Sequence, residues 1–138
     1  MSTDNDPLSM SDVQRLKGIR KNAAIERASI ERQVEKDIES DVREYAVSAG
    51  WFTRKFSSEI YRYAPAQLMI NHHGYVIFVD FVAKGKRISR LKLREQVRMI
   101  NNGAKVFTVD SVESGIALLK SLNSVNSTTI GGGLNVNR

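Results

Sequence analysis

One stretch constrains this chain more than any other. Residues 75–83, Tyr-Val-Ile-Phe-Val-Asp-Phe-Val-Ala, are apolar on both alternating faces except at Asp80. A strand with one wet face alternates apolar with polar, so an unbroken apolar run of this length predicts a central strand covered on both sides. The preceding Asn71-His72-His73-Gly74 reads as a turn and residues 67–70 as a shorter partner strand, which together make a β-hairpin. With a period of two, Asp80 shares a face with Val76, Phe78 and Val82. An unpaired buried carboxylate is costly, so Asp80 is expected to be ion-paired, metal-bound or at the open end of its strand.

The other elements arrange themselves around this hairpin. Apolar residues at Val13, Leu16, Ile19, Ala23, Ile30, Val34, Ile38, Val42, Tyr45 and Ala49 follow helical spacing, predicting a long N-terminal helix over residues 11–49. Ser9 or Ser11 is available as its N-cap, Gly18 is a place where it could break, and Gly50 is placed as its C-terminal stop. A short strand over residues 51–56 and a polar-aromatic loop lead to Pro65 and the hairpin. A helix over residues 89–102 ended by Gly103, a strand over 105–109 and a helix capped by Ser111 and running to residue 122 complete the series. The predicted order α-β-β-β-α-β-α implies an α/β fold with a mixed β-sheet flanked by helices. Residues 11–122 read as a single domain, 1–10 as a disordered N-terminus and 123–138 as a flexible Ser/Asn/Gly tail. With 138 residues there is room for one core.

Several classes drop out. No run of about 18 apolar residues is present to span a membrane, and the first ten residues carry no apolar signal region. The absence of cysteine excludes a disulfide scaffold, a thiolate zinc site and a cysteine nucleophile, and fits a cytoplasmic protein.

The net charge of +6 is localised. Residues 51–105 hold eleven Lys/Arg against three acids, whereas 11–50 balance at eight of each sign. Within 84–94, six of eleven residues are basic: Lys84, Lys86, Arg87, Arg90, Lys92 and Arg94. They span a loop with Gly85 and the first turns of the 89–102 helix, whose opening amides favour an anion. Arg54, Lys55 and Arg62 are expected to extend the same face. Such a concentration is what a phosphate-backbone binder needs, the alternative being a solvated surface in which Arg94 and Arg98 pair with Glu95 or Asp110.

Glu39, one residue past Ile38 on the first helix, is the second candidate carboxylate. Facing Asp80, it would form a site of hard oxygen ligands for a divalent cation; separate salt bridges to nearby Arg or Lys are the competing arrangement. Other features read as structural. His72 and His73 are turn residues pointing apart, Gly131-Gly132-Gly133 precedes no helix, Tyr61, Tyr63, Phe78 and Phe107 read as packing residues, and Trp51 as a core anchor.

The stretches Ile-Glu-Ser-Asp-Val-Arg-Glu-Tyr-Ala-Val-Ser-Ala-Gly-Trp-Phe-Thr-Arg-Lys-Phe (38–56) and residues 65–115 together resemble the VRR-NUC branch of the PD-(D/E)xK nucleases, a Holliday-junction-resolvase-like superfamily, in its small phage or prophage members. The resemblance implies a nuclease-like core and a site in which Glu39 matches the helix glutamate and Asp80 the strand acid. It also implies that Pro65-Ala66 stands where the family has Pro-Asp, Asp80-Phe81-Val82 where it has Glu-x-Lys, and Lys92 where a glutamine is frequent. Ala66 offers no ligand and Val82 no ammonium, so Glu39 and Asp80 are a remnant of a Mg²⁺ or Mn²⁺ site. Substitutes would have to come from Lys84, Lys86, Glu59 or Asn71. Removing one electrostatic group of a catalytic set typically costs about 10²–10³ in rate.

The expectation is therefore a catalytically degenerate nucleic-acid-binding protein that contacts duplex or branched DNA without sequence preference and forms a homodimer. The alternatives are an active metal-dependent, structure-selective endonuclease with a rearranged site, and a phage-encoded interaction or inhibitor protein acting on a host protein.

Overall fold

The computed structural model describes residues 9–56 and 60–127. The expected disorder of residues 1–10 and of the far tail, the triple glycine and Glu59 lie almost wholly or wholly outside them. The elements are α1 (Met10–Ser48), β1 (Phe52–Lys55), β2 (Gln67–Ile70), β3 (Val76–Phe81), α2 (Arg90–Asn101), β4 (Val106–Val109) and α3 (Val112–Leu122). This is the α-β-β-β-α-β-α order read from the sequence. No helix among the described residues is long and apolar enough to cross a membrane.

Contacts divide the chain into two units, Met1–Gln33 and Val34–Arg138. In the first, the described residues are helical apart from Ser9, whose hydroxyl accepts from the Asp12 amide and caps α1. Gly18 does not break the helix. Leu16, Ile19, Ile25 and Ile30 are exposed.

The second unit holds the core. Its strands lie in the order β1-β2-β3-β4, antiparallel for the first two pairs and parallel for β3 with β4. Residues directly opposite one another point to the same side, so the register sorts the sheet into two faces. Thr53, Met69 and Ile77 share the first, as do Lys55, Gln67, Val79 and Phe107. There Met69, Ile77, Val79 and Val109 are buried in one cluster with Ile38, Val42 and Ala46 of α1, Leu119 of α3 and Trp51, the expected core anchor. The second face carries the row Phe52, Ile70 and Val76, then Arg54, Leu68 and Phe78, then Asp80 beside Thr108. Phe52 and Val76 are exposed on it. The expectation that β3 is covered on both sides is therefore corrected. β3 is central in the sheet, but only its Ile77–Val79–Phe81 face is fully enclosed, and the other is closed at Asp80 and open towards Val76.

The element ends explain themselves. Trp51 donates its amide to the Ala46 carbonyl at 2.9 Å and Gly50 to Val47 at 3.1 Å, the paired bonds of a left-handed helix stop. Gly50 adopts φ +90°, which a side chain would strain. Ser89 and Ser111 accept from the amides of Lys92 and Ser114 and so cap α2 and α3. The hairpin turn is held by Asn71. Its Oδ1 accepts from His73 and Tyr75 amides, and its Nδ2 donates to the carbonyls of Leu122 and Val125. An amide so fully engaged is a structural clamp, which corrects its candidacy as a substitute site ligand. His72 and His73 do not point apart as expected; their rings lie 4.3 Å apart, centroid to centroid.

Helix α3 approaches α1 through Gly115. A Cβ there would lie 2.5 Å from Val42 Cγ2 and 3.1 Å from Val109 Cγ1. Gly115→Ala is expected to destabilise the protein by about 1–3 kcal/mol through overpacking. Urea unfolding should show a lower midpoint with an unchanged slope, and an unshifted midpoint would mean the two helices separate freely.

Candidate functional site

Asp80 is fully buried, and the polar groups of α2 are what permit it. Ser89 starts α2 so that Lys92 and Gln96, four residues apart, lie on one face. That face meets the second side of the sheet. Lys92 Nζ donates to Asp80 Oδ1 at 2.7 Å, and Gln96 Nε2 donates to Oδ2 at 3.0 Å and to Thr108 Oγ1 at 2.9 Å. Both carboxylate oxygens are thus satisfied. The Lys92 side chain is 32% exposed, so its stem runs along the protein and its charge is directed inside. The inward face of α2 is therefore polar, while Leu91, Leu93, Val97 and Ile100 stand exposed.

Glu39 lies elsewhere. Its Oε2 accepts from Gln67 Nε2 at 2.6 Å and lies 3.4 Å from Lys55 Nζ. Gln67 is opposite Val79 in register, on the face that carries the core. Asp80 follows Val79 and so turns to the other face. The structure does not bring Glu39 and Asp80 together; it gives each its own cation and its own amide donor. This is the separate-salt-bridge arrangement that the sequence left open.

The folded chain is similar to a solved structure described as a VRR_NUC domain, with a TM-score of 0.58 and 28% identity, over 63% of this chain and 95% of that one. The chain adopts a VRR_NUC-like fold. By sequence alone no family model matches it, and no curated protein does. The likeness recovers a nuclease-type α/β scaffold from four short strands and the helices around them.

Whether this VRR_NUC-like fold keeps a metal site turns on its donors. A hard divalent ion takes six or more oxygen ligands, and here the two candidate carboxylates face opposite ways. Among the described residues no group of three or more His, Asp or Glu is placed to hold a metal. Ala66, next to Gln67 at the start of β2, is half-buried with only a methyl to offer, and Val82 is buried with its amide bonded to the Val109 carbonyl. The Lys92 ammonium stands against Asp80 where a cation would be bound. The described residues do not fit Mg²⁺ or Mn²⁺.

The basic segment divides. Lys84, Lys86, Arg87 and Arg90 are exposed around Gly85, whose φ of +77° permits the turn, and Arg94 and Arg98 continue along α2 at four-residue spacing. Lys92, expected among the phosphate contacts, is instead the partner of Asp80, because α2 turns it inward. Arg98 lies 3.9 Å from Glu95, a loose surface pair of the kind foreseen. Arg62 lines a small cavity of about 170 Å³ with Tyr61, Tyr63 and Arg98. Tyr61 and Tyr63 are exposed and not packed away as expected, whereas Phe78 meets Phe56 edge to face at 5.0 Å and Phe107 packs on the core. Arg54 is held by the Thr53 carbonyl at 2.7 Å and lies 4.1 Å from the Phe52 ring centre.

Lys92→Met should cost about 2–4 kcal/mol, somewhat under the usual cost of stranding a buried charge because Lys92 is partly wet. In an Asp80→Asn background the same change should cost under about 1 kcal/mol, since no charge is then left unpaired. Thermal and urea unfolding of the four proteins measure the coupling, and additive effects would show that the pair does not hold α2 to the sheet.

Proposed function

We propose that this chain binds the phosphate backbone of DNA on a nuclease-like fold without cleaving it, in the cytoplasm. The observation that supports the reading best is the ion pair between Lys92 and Asp80. It removes the strand carboxylate from metal chemistry while leaving the cationic loop before α2 exposed. Lys84, Lys86, Arg87 and Arg90 surround a glycine turn at a helix N-terminus, where charge and amides attract the same anion. Phosphate contacts of this kind position a protein without reading bases, so duplex and branched DNA should bind with little sequence preference.

Replacing Lys84, Lys86, Arg87 and Arg90 together by Ala should lower the log–log salt dependence of DNA binding by about 0.9 for each phosphate that is no longer neutralised. Adding Lys92→Met should not lower it further. Fluorescence anisotropy over a salt series measures both, and an unchanged slope in the fourfold variant would reject the interface. The same tubes, supplied with Mg²⁺ or Mn²⁺ and linear, flapped or four-way DNA, should show no cleavage above background. Metal-dependent cleavage that disappears on Glu39→Ala or Asp80→Ala would establish instead an active enzyme with a rearranged site.

A homodimer is the second element of the proposal. It is supported by the first unit, in which Leu16, Ile19, Ile25 and Ile30 are exposed along one helix. By their spacing Leu16, Ile19 and Ile30 gather on one side of the helix, with Ile25 opposite, and an exposed apolar strip of this kind marks a surface that another chain covers. Removing residues 1–28 should turn a dimer into a folded monomer in light scattering, and a monomeric full-length chain at high micromolar concentration would refute it.

A further inference from the structure

The face that carries Glu39 has a groove of its own, with a volume of about 480 Å³, between α1 and the edge strand β1. Three cations surround it, Lys36 and Arg43 from α1 and Lys55 from β1; Arg54 borders it as well, but its guanidinium is engaged by the Thr53 carbonyl and the Phe52 ring. Among the described residues one carboxylate, Glu39, stands against them, which leaves a formal excess of two positive charges. Among the described residues neither Lys36 nor Arg43 makes an ion pair. Two hydroxyls, on Ser40 and Thr53, complete the polar lining.

The floor of the groove carries a second and independent observation. Gln67 lines it, is 2% exposed, and has its Oε1 buried without a hydrogen-bond partner among the described residues. The amide cannot be turned round to cure this. Its Nε2 donates to Glu39 at 2.6 Å, and the reversed amide would set its oxygen against that carboxylate. A buried acceptor left in this way costs free energy that an entering donor recovers.

We propose that this groove binds a nucleotide, with a phosphate monoester on the cations and a sugar hydroxyl or base amino group donating to Gln67 Oε1. A monoester carries about −1.5 to −2 charge at neutral pH, against −1 for an internal diester, and so suits an excess of two better. Three terminal oxygens can also be shared among several cations, as the Arg43 guanidinium favours. The volume falls in the range of small-ligand sites, about 300–1,000 Å³. Glu39 becomes a positioning residue that fixes the amide of Gln67. The groove lies on the Glu39 face of the sheet and shares no residue with the loop before α2, so the inference does not depend on DNA binding there.

Isothermal titration of the full chain tests it with AMP, adenosine, inorganic phosphate, and one oligonucleotide with and without a terminal phosphate. AMP should bind one to one, more tightly than inorganic phosphate, and adenosine should not bind detectably. Competition by AMP against the phosphorylated oligonucleotide alone would place a strand end in the groove; binding of AMP without such competition would make the free nucleotide its ligand. Lys36→Ala with Arg43→Ala, both exposed and checked for an unchanged unfolding midpoint, should weaken AMP by about tenfold or more. The fourfold Ala variant of the loop before α2 should leave AMP affinity as it was. No AMP binding at millimolar concentration, or AMP binding indifferent to the α1 pair, overturns the proposal. Equal affinity for AMP and inorganic phosphate would overturn the role given to Gln67 and leave a bare anion groove.

Discussion

A carboxylate fully enclosed in a small α/β domain is tolerable only if something answers its charge, and much of this structure follows from how Asp80 is answered. Helix α2 is turned so that Lys92 and Gln96 reach it. That rotation places polar side chains inward and leaves Leu93, Val97 and Ile100 outward, the reverse of an ordinary amphipathic helix. The ion pair thus sets the orientation of α2, and with it the direction in which Arg90, Arg94 and Arg98 project. A metal ion and an ammonium are alternative answers to the same buried charge. With the ammonium built in, the charge is neutralised at all times and independently of metal supply.

Much of the fold is legible in the sequence because its signals are local. The serines at positions 89 and 111, the glycines at 50 and 103, and the unbroken apolar run of β3 each mark a boundary through short-range chemistry, and the seven elements follow. Trp51 reads as a core residue because it comes immediately after the Gly50 stop, where the chain must turn back onto the helix it has left.

The candidate site is less legible, and for a geometric reason. Sequence reasoning places Glu39 in the site of Asp80 because both are acids near the sheet, yet facing depends on register across two strand pairs. One residue of register separates Gln67, opposite Val79, from the position opposite Asp80, and that single step puts the two acids on different faces. Lys92 reads as a surface residue because its neighbours are basic. Its partner is twelve residues away on another element, and nothing in a local charge count reveals that. The usual rule for helices fails at α2 because a buried charge outweighs the burial of several aliphatic side chains when the two compete for one face. The spacing of Lys92 and Gln96, read together with a lone acid on the preceding strand, is the available clue.

The Asn71 clamp bears on how the molecule is made. Its amide joins the hairpin turn to carbonyls 51 and 54 residues further along the chain. A ribosome that has delivered the hairpin has therefore not yet delivered the groups that secure it. Until residue 125 has emerged, the Nδ2 donor can bond only water, and the turn is fastened on one side alone. The last turn of α3 and the residues after it are thus the closing step of the domain, and the hairpin waits for them however early its own strands pair.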